Sequence, residues 1–283
     1  MSSHSDTIVY SAEKSNSLSQ LFLGIFKGFS QGHGLGKRLF IRDTRATYRQ
    51  SALGLLWVII IPLAQTMVWV FLSNGGVLNI GETGVPYPIY VLTGVLLWRS
   101  LTDAVNAPLM MFNSSKSILS KINFPKEALI ITAFYKVMFN LGINLLVLVP
   151  LFIYYGIVPG WTALWGFIAL IPIILFGLSV GVLITPFGAL FIDVQKFIQS
   201  FMQLFFFLTP IIYPMPKEGF IASLSEYNPA AICIVSARDM LLETSDQLMD
   251  HYGVFLLSTL IIGTLGLLIY RISLPIIIER SGS

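Results

Sequence analysis

Charged residues are scarce in this chain: Asp, Glu, Lys and Arg together make up 11% of its 283 residues. The single Cys excludes an internal disulfide. The three His residues form no Cys/His cluster with it that would indicate a metal site. No Ser/His/Asp, Cys/His or paired-carboxylate set is apparent, which argues against an enzyme. The polar N-terminus lacks the apolar run of a cleavable signal peptide, so we expect none.

Apolar residues are abundant instead, at 55% of the chain with a mean hydropathy of +0.79. A membrane core requires roughly 20 apolar residues per helix. Six stretches meet that length, and we expect spans at about 53–73, 87–112, 128–155, 162–192, 197–213 and 252–272. The composition therefore predicts an all-α polytopic membrane protein with six transmembrane helices.

Positive charge is distributed unevenly between the two sides that these spans define. Thirteen of the 17 Lys and Arg residues fall on one side, before the first span, in two loops and in the C-terminal tail. Loops rich in Lys and Arg are retained in the cytoplasm, so we expect both termini to be cytoplasmic. The net charge of +3 is placed to meet lipid headgroups or a partner protein, and it does not indicate nucleic-acid binding.

A basic stripe precedes the first span. Arg38, Arg42, Arg45 and Arg49 follow one another at steps of four, three and four residues, which places them on one face of a helix over 37–51. Such a stripe anchors a chain at the membrane surface, contacts an acidic partner, or holds the phosphates of an anionic lipid. The sequence leaves these three alternatives open.

Three glycines, Gly32, Gly34 and Gly36, lie just before the stripe and superficially resemble a phosphate-binding loop. A Walker A motif needs a glycine five positions before the last of them and a hydroxyl residue after the lysine. Glutamine and arginine occupy those positions, so we expect a hinge that ends an N-terminal tail over 1–36. If the protein uses ATP, another chain binds it.

Polar residues inside two of the spans are the strongest candidates for a functional interior. Arg99 and Asp103 are four residues apart in the second span, and Lys136, Asn140 and Asn144 follow four-residue steps in the third. Charged residues in a membrane normally face a cavity, the bundle interior or each other. We therefore consider both a structural ion pair and a polar lining for a hydrated or sugar-bearing path.

The segment between the fifth and sixth spans is unusually apolar for a loop. Residues 220–235 are too few to cross a membrane and are interrupted by Asn228 and Pro229. We expect a re-entrant or surface-lying helical hairpin. Aromatic residues are plentiful, and most of them belong at the membrane interface. Trp57 and Tyr213 are two that could line a path, where flat rings stack on sugars.

Several ordered motifs resemble those of ABC-2 type permeases that export polysaccharides. The resemblance covers about 37–272 and rests on Arg42-Asp43, Tyr48-Arg49-Gln50-Ser51, Leu53-Gly54, Trp57, Pro62, Tyr87-Pro88, Gly94, Trp98, Lys121-Ile122-Asn123-Phe124-Pro125, Asp193-Val194-Gln195, Thr209-Pro210-Ile211-Ile212-Tyr213-Pro214 and Asn228-Pro229. One departure lies just before Asp193, since Ile192 stands where many relatives have arginine. Arg99 and Asp103 are not a general feature of the family.

The resemblance implies a cytoplasmic interface helix at 37–51, a six-span domain over 52–272 with an extracytoplasmic gate hairpin between spans 5 and 6, and a cytoplasmic tail at 273–283. It also implies a homodimer with two copies of a separate ATPase, which binds the ATP and Mg²⁺. This chain itself is expected to bind no cofactor. The residues expected to couple to the ATPase are Arg42, Arg45, Arg49, Lys121, Phe124, Pro125 and Asp193.

The implied substrate is a polysaccharide carried on a membrane lipid and moved across a bacterial inner membrane. Family members export O-antigen, capsule or teichoic-acid chains, and O-antigen on undecaprenyl diphosphate is the substrate we expect. Residues expected along its path are Arg99, Asp103, Lys136, Asn140, Trp57 and Tyr213. Three alternatives remain open on the sequence. They are the permease of a drug or small-lipid exporter, a membrane-embedded glycosyltransferase, and a secondary carrier that works alone.

Overall fold

The computed structural model describes residues 18–49, 52–78, 80–119, 121–122, 124–216, 218–244 and 248–281. Within these ranges the regular structure is helical throughout. The α-helices are α1 (Leu18–Arg49), α2 (Leu56–Asn74), α3 (Tyr87–Leu119), α4 (Glu127–Tyr154), α5 (Trp161–Leu190), α6 (Ile192–Leu208), α7 (Phe220–Tyr227), α8 (Pro229–Leu242) and α9 (Tyr252–Ser281). A short 3₁₀ turn, Met249–His251, precedes α9.

Helices α3 and α5 form the centre of the bundle and pack closely against each other. Two glycines on α5 make this possible, because a Cβ atom at Gly177 would lie 2.6 Å from the Ala104 Cβ, and one at Gly181 would strike the carbonyl of Val105. Small residues at a helix interface let the two backbones approach, which is how helices associate inside a membrane. Helix α9 packs on the other side of α5, and α4 packs on α3.

Four helices are long and apolar enough to cross a membrane: α2, α4, α5 and the helical stretch Met249–Ile278. The pair α7 and α8 would make a fifth if the two formed one span. Helix α3 carries two charged residues in its middle, and α6 has only 17 residues, so neither meets the same criterion. These findings confirm a multi-pass helical membrane protein, whereas six spans remain a prediction.

The segment in which the sequence predicts a hairpin, between the last two spans, contains α7 and α8, which meet at an angle of 87°. The bend lies at Asn228, whose side-chain oxygen accepts a hydrogen bond of 2.9 Å from the backbone N–H of Ala230. Pro229 occupies the first helical position, where its missing N–H costs nothing. The sequence therefore specifies both the end of one helix and the start of the next.

Helix α1 differs most from the sequence-based expectation. The predicted hinge at Gly32, Gly34 and Gly36 is wrong, because all three lie within one continuous helix of 32 residues. Gly32 and Gly36 instead press against α4, where a Cβ atom would lie 3.0 Å from the Ala128 nitrogen and 2.8 Å from its carbonyl oxygen, respectively. Residues 1–17 of the predicted tail, and Ser51 at the end of the predicted interface helix, lie outside the described residues.

Two other boundaries also shift. The predicted turn at 193–196 is part of α6, which begins at Ile192 after a single extended residue, Phe191. The predicted tail at 273–283 is helical as far as Ser281, because α9 continues without a break. We call the end of the bundle where α1 lies the α1 end, and the opposite end the hairpin end.

Candidate functional site

A cavity of about 1000 Å³ lies between α2, α3 and α6. Its polar lining consists of Gln65, Arg99, Thr102, Asp103, Asn106, Gln199, Ser200 and Gln203. Its apolar lining consists of Val68, Trp69, Val95, Trp98, Met202, Leu204, Phe206 and Phe207.

Helix periodicity aims these side chains at one space. Arg99, Asp103 and Asn106 follow steps of four and three residues on α3, and Gln199 and Gln203 are one turn apart on α6. Helix α3 runs from the hairpin end to the α1 end, and α6 runs back. The amides and charges therefore occupy the part nearer the α1 end, and the large rings occupy the part nearer the hairpin end.

Asp103 is held from behind by α4. The side-chain amide of Asn140 donates a hydrogen bond of 3.1 Å to one Asp103 carboxylate oxygen. Lys136 and Arg99 lie near enough to interact electrostatically with the same carboxylate. Tyr48 from α1 is another neighbour: burial raises the pKa of its phenol, and the Asp103 charge raises that pKa further. The carboxylate thus links α3 to α4 at the α1 end of the cavity.

Arg99 does not form the ion pair that its spacing suggested. Among the described residues the ion pairs within 4 Å are Arg42–Asp43 and Arg271–Glu127. Arg99 and Asp103 both line the cavity, and Asn140 rather than Arg99 satisfies the carboxylate. A cation facing an open cavity keeps its hydrogen-bond donors available to water or to a ligand.

Aromatic rings from three helices line the other end of the cavity. The ring centroid of Trp69 on α2 lies 6.3 Å from that of Phe206 on α6, and the centroid of Trp98 on α3 lies 5.9 Å from that of Phe206. Phe205 and Phe207 extend the cluster on either side. Edge-to-face and offset contacts at such distances stabilise aromatic clusters by about 0.5–1.5 kcal/mol per pair.

The combination of amides, one carboxylate, one guanidinium and flat rings suits a ligand that is rich in hydroxyl groups. Amide and charged side chains exchange hydrogen bonds with hydroxyls, while rings cover the apolar faces of a sugar. No group of three or more His, Cys, Asp or Glu side chains capable of holding a metal occurs in the part of the chain that the structure describes. The lining therefore supports binding or passage of a ligand.

A basic surface lies at the α1 end. Arg45 and Arg49 are exposed on α1, and Arg42 is also exposed but donates to Asp43, with 2.7 Å between Arg42 Nη2 and Asp43 Oδ1. Lys121, in the loop between α3 and α4, is exposed as well. We call the exposed arginines Arg38, Arg42, Arg45 and Arg49 the basic stripe. It is the largest concentration of positive charge on α1.

The other residues predicted to couple to a partner lie at the same end. Phe124 and Pro125 line a second cavity, of about 650 Å³, between α1, the start of α4 and the end of α9. Asp193 is exposed in the first turn of α6. Lys121, Phe124 and Pro125 lie in the loop that precedes α4, and the coupling role of all seven residues stays a prediction.

The predicted path residues are distributed differently. Arg99 and Asp103 line the cavity, and Lys136 and Asn140 stand behind Asp103 on α4. Trp57 lies at the start of α2 with 48% of its surface exposed, away from the cavity. Tyr213 follows α6, and its hydroxyl donates to the carbonyl of Phe207 at 2.9 Å. The sequence-based reasoning missed the glutamines and the aromatic cluster, namely Gln65, Gln199, Gln203, Trp69, Trp98 and Phe206.

Comparison with known proteins identifies the architecture. A family model described as ABC-2 type transporter matches residues 35–242. The chain is 26% identical over 239 residues to the O-antigen export system permease protein RfbA of Klebsiella pneumoniae, covering 81% of this chain and 88% of the relative. It is 25% identical over 186 residues to the RfbA protein of Myxococcus xanthus, covering 65% and 70%. The polysialic acid transport protein KpsM of Escherichia coli is 20% identical over 243 residues, covering 82% and 91%.

Proposed function

The chain belongs to the ABC-2 type transporter family, and we propose that it is the permease subunit of an ATP-driven exporter of lipid-linked polysaccharide. The proposed substrate is O-antigen on undecaprenyl diphosphate, and the proposed membrane is the bacterial inner membrane. Relatives that are named for O-antigen and polysialic acid transport support this substrate class. The observation that carries the proposal is the cavity whose lining combines hydrogen-bonding side chains with aromatic rings.

In this proposal α3 and α6 cross the membrane together with the four long apolar helices, giving six spans with both termini in the cytoplasm. The α1 end then faces the cytoplasm, and the α7–α8 hairpin lies at the opposite surface. The excess of Lys and Arg at the α1 end supports this orientation. Two such chains form a homodimer with two ATPase subunits, and the ATPase binds ATP and Mg²⁺.

The basic stripe is the proposed contact for the ATPase. Arg45 and Arg49 are exposed, and neither belongs to an ion pair among the described residues, so their guanidinium groups are available to carboxylates on a partner. Lys121, Phe124 and Pro125 extend the same surface. Movement of this surface would displace α1, which transmits the displacement to α4 through their close packing.

Export then requires α2 and α6 to move apart along the cavity. The lipid diphosphate enters near the basic stripe, where arginine pairs with phosphate in a bidentate manner. The glycan passes the polar residues first and the aromatic cluster second, because that is their order from the α1 end. Arg99 and Gln203 donate hydrogen bonds to its hydroxyls, and Trp69 and Trp98 stack on its rings.

The substrate class is tested with the purified complex of permease and ATPase in proteoliposomes. Lipid-linked O-antigen should raise the rate of ATP hydrolysis several-fold, whereas hydrophobic drugs should leave it unchanged. The converse result, stimulation by drugs and none by the glycan lipid, would assign the chain to a drug or small-lipid exporter. Export without any ATPase subunit would assign it to the secondary carriers.

The docking surface is tested by reversing its charge. We expect the double variant Arg45→Glu with Arg49→Glu to abolish export while the protein still inserts into the membrane, because carboxylates would repel an acidic partner surface. The matched control is Arg45→Lys with Arg49→Lys, which keeps the charge and should retain most of the export. Normal export by the Glu variant would refute this role.

A further inference from the structure

The short segment that follows α6 is held by an unusual set of hydrogen bonds. Residues 209–213 are not helical, so their carbonyl groups lack the partners that a helix would supply. The Tyr87 hydroxyl donates to the carbonyl of Ile212 at 3.0 Å, and the Tyr90 hydroxyl donates to that of Tyr213 at 3.2 Å. Both tyrosines belong to the first turn of α3.

Arg238 on α8 holds the two preceding carbonyls. Its Nη1 atom donates to the carbonyl of Pro210 and to that of Ile211, at 3.1 Å in each case. Four consecutive carbonyls, from Pro210 to Tyr213, are therefore all satisfied by side chains. Apart from the bond of 2.7 Å from the Ile211 N–H to the Thr209 carbonyl, the segment is held by side chains of α3 and α8.

Arg238 is suited to this role by the shape of its guanidinium. The side chain is 1% exposed, and its guanidinium carbon lies 3.8 Å from the centroid of the Tyr90 ring. A planar guanidinium can stack on a ring and donate to two carbonyls at the same time, whereas a lysine ammonium lacks that geometry. Burying such a charge is costly unless all of these contacts are made.

A glycine on α3 shows how tightly the segment is pressed in place. A Cβ atom at Gly94 would lie 2.5 Å from the carbonyl oxygen of Ile211, which is the same oxygen that Arg238 binds. Asn228 adds a further bond, since its side-chain amide donates to Thr209 Oγ1 at 3.2 Å. The end of α6 is thus fixed against α3 from one side and against α8 from the other.

These contacts lie next to the aromatic end of the cavity. Helix α6 ends at Leu208, two residues before the first bound carbonyl, and it carries Phe206 of the aromatic cluster. We propose that Arg238 is the positioning residue that holds the end of α6 against α3 and thereby keeps the aromatic end of the cavity closed at rest. Separation of α6 from α3 has to break the two Arg238 bonds, and closure restores them. This inference rests on the proposed function only in treating the cavity as a path.

The test measures access to the cavity from the hairpin side. Gln203→Cys is introduced into a Cys233→Ala background, and the resting complex in proteoliposomes is treated with a membrane-impermeant maleimide in the absence of ATP and glycan. We expect Arg238→Ala to increase the labelling rate of this cysteine at least tenfold. Arg238→Lys should give a similar increase, because it keeps the charge but lacks the planar group that stacks on Tyr90 and directs Nη1 at the two carbonyls.

Gly94→Ala provides an independent variant, because it displaces the Ile211 carbonyl while Arg238 is intact. It should also raise the labelling rate at least tenfold. The control is Glu226→Gln, an exposed charge on α7, which should label at the rate of the unaltered background. If Arg238→Ala assembles with the ATPase and labels within twofold of background, the proposal is overturned.

If Arg238→Ala fails to assemble, the remaining two variants decide, and background labelling in both Arg238→Lys and Gly94→Ala overturns the proposal. Glycan transport is measured separately on the Cys233→Ala background, which retains Gln203 and Arg238. A background complex that fails to transport the glycan contradicts the proposed substrate, whereas the labelling rates of the variants still report on the Arg238 contacts. The two proposals therefore fail by different measurements.

Discussion

Glu127 and Arg271 form an ion pair between α4 and α9 at the α1 end, and it is the one ion pair between different helices among the described residues. Glu127 is 7% exposed, and the pair lies directly beneath α1, where a Cβ atom at Gly24 would strike Arg271 and one at Gly28 would strike Glu127. The two glycines allow α1 to cover the pair. Two charges in the interior are tolerable because each neutralises the other.

We expect Glu127→Ala to lower the free energy of unfolding by about 2 kcal/mol, because it leaves the Arg271 charge without its partner. Breaking a fully buried pair costs about 3–5 kcal/mol, and the estimate is reduced because Arg271 is one third exposed. The shift would be seen as a lower melting temperature of the detergent-solubilised protein. The swap Glu127→Arg with Arg271→Glu should recover part of the loss; a swap no better than the single variant contradicts the pairing.

Arg99 and Asp103 show what residue spacing along one helix can and cannot predict about side-chain contacts. Their separation of four residues correctly predicts that they share one helix face. Spacing on one helix cannot show that Asn140, on another helix, supplies the hydrogen bond that the carboxylate requires. Arg99 consequently remains exposed to the cavity. Only the contact between α3 and α4 determines this arrangement.

At the scale of helices, α1 depends on glycine for its packing. Gly24, Gly28, Gly32 and Gly36 recur every four residues and form one stripe, which lies against α4 and α9. The regular spacing was a usable signal for close helix packing, and the hinge interpretation overlooked it. Gly34 lies off the stripe, and no atom beyond the backbone of its own helix and its chain neighbours lies within 4 Å of its Cβ position.

This difference gives a matched pair of substitutions within one helix turn. Gly36→Ala should lower the free energy of unfolding by about 1–3 kcal/mol, since its Cβ would lie 2.8 Å from the Ala128 carbonyl oxygen. Gly34→Ala should instead raise it by about 0.5–1 kcal/mol, because alanine favours a helix and meets no neighbour. Thermal unfolding of the two purified variants measures both effects. Equal changes of the same sign would show that α1 does not pack on α4 as described.

The hairpin illustrates the opposite case, in which local sequence was sufficient. Asn228 and Pro229 predict a helix start, and the structure has α8 begin there. Nothing local indicated that Arg238, ten residues later, would be buried and bound to carbonyls beyond α6. An arginine in an apolar segment signals a buried polar contact, but its partner is 27 residues away in sequence.

For the molecule as a whole, the orientation in the membrane follows from charge and is directly testable. The single Cys233 is buried, so it should give little background with thiol reagents. Lys121→Cys and Glu226→Cys place one exposed cysteine at each end of the bundle. In intact cells whose outer membrane is permeable, an impermeant maleimide should label the Glu226→Cys variant. It should label Lys121→Cys only after the inner membrane is broken. Labelling of Lys121→Cys in intact cells would reverse the orientation.

The sequence by itself determined the helical class, the approximate extent of the apolar helices and the basic stripe. It could do so because hydropathy and periodicity are properties of consecutive residues, and because the length of a helix is fixed by its run of apolar side chains. The motif resemblance added the family, which the match over residues 35–242 confirms.

Only the tertiary structure decided which side chains share a space. Gln65, Arg99 and Gln203 come from three helices, and the periodicity of each helix fixes the direction of a side chain without specifying which helix lies opposite. The same holds for Arg238, whose burial depends on carbonyl groups that become available only where α6 ends. The packing of distant helices, rather than any local pattern, creates both the cavity and the contacts that close it.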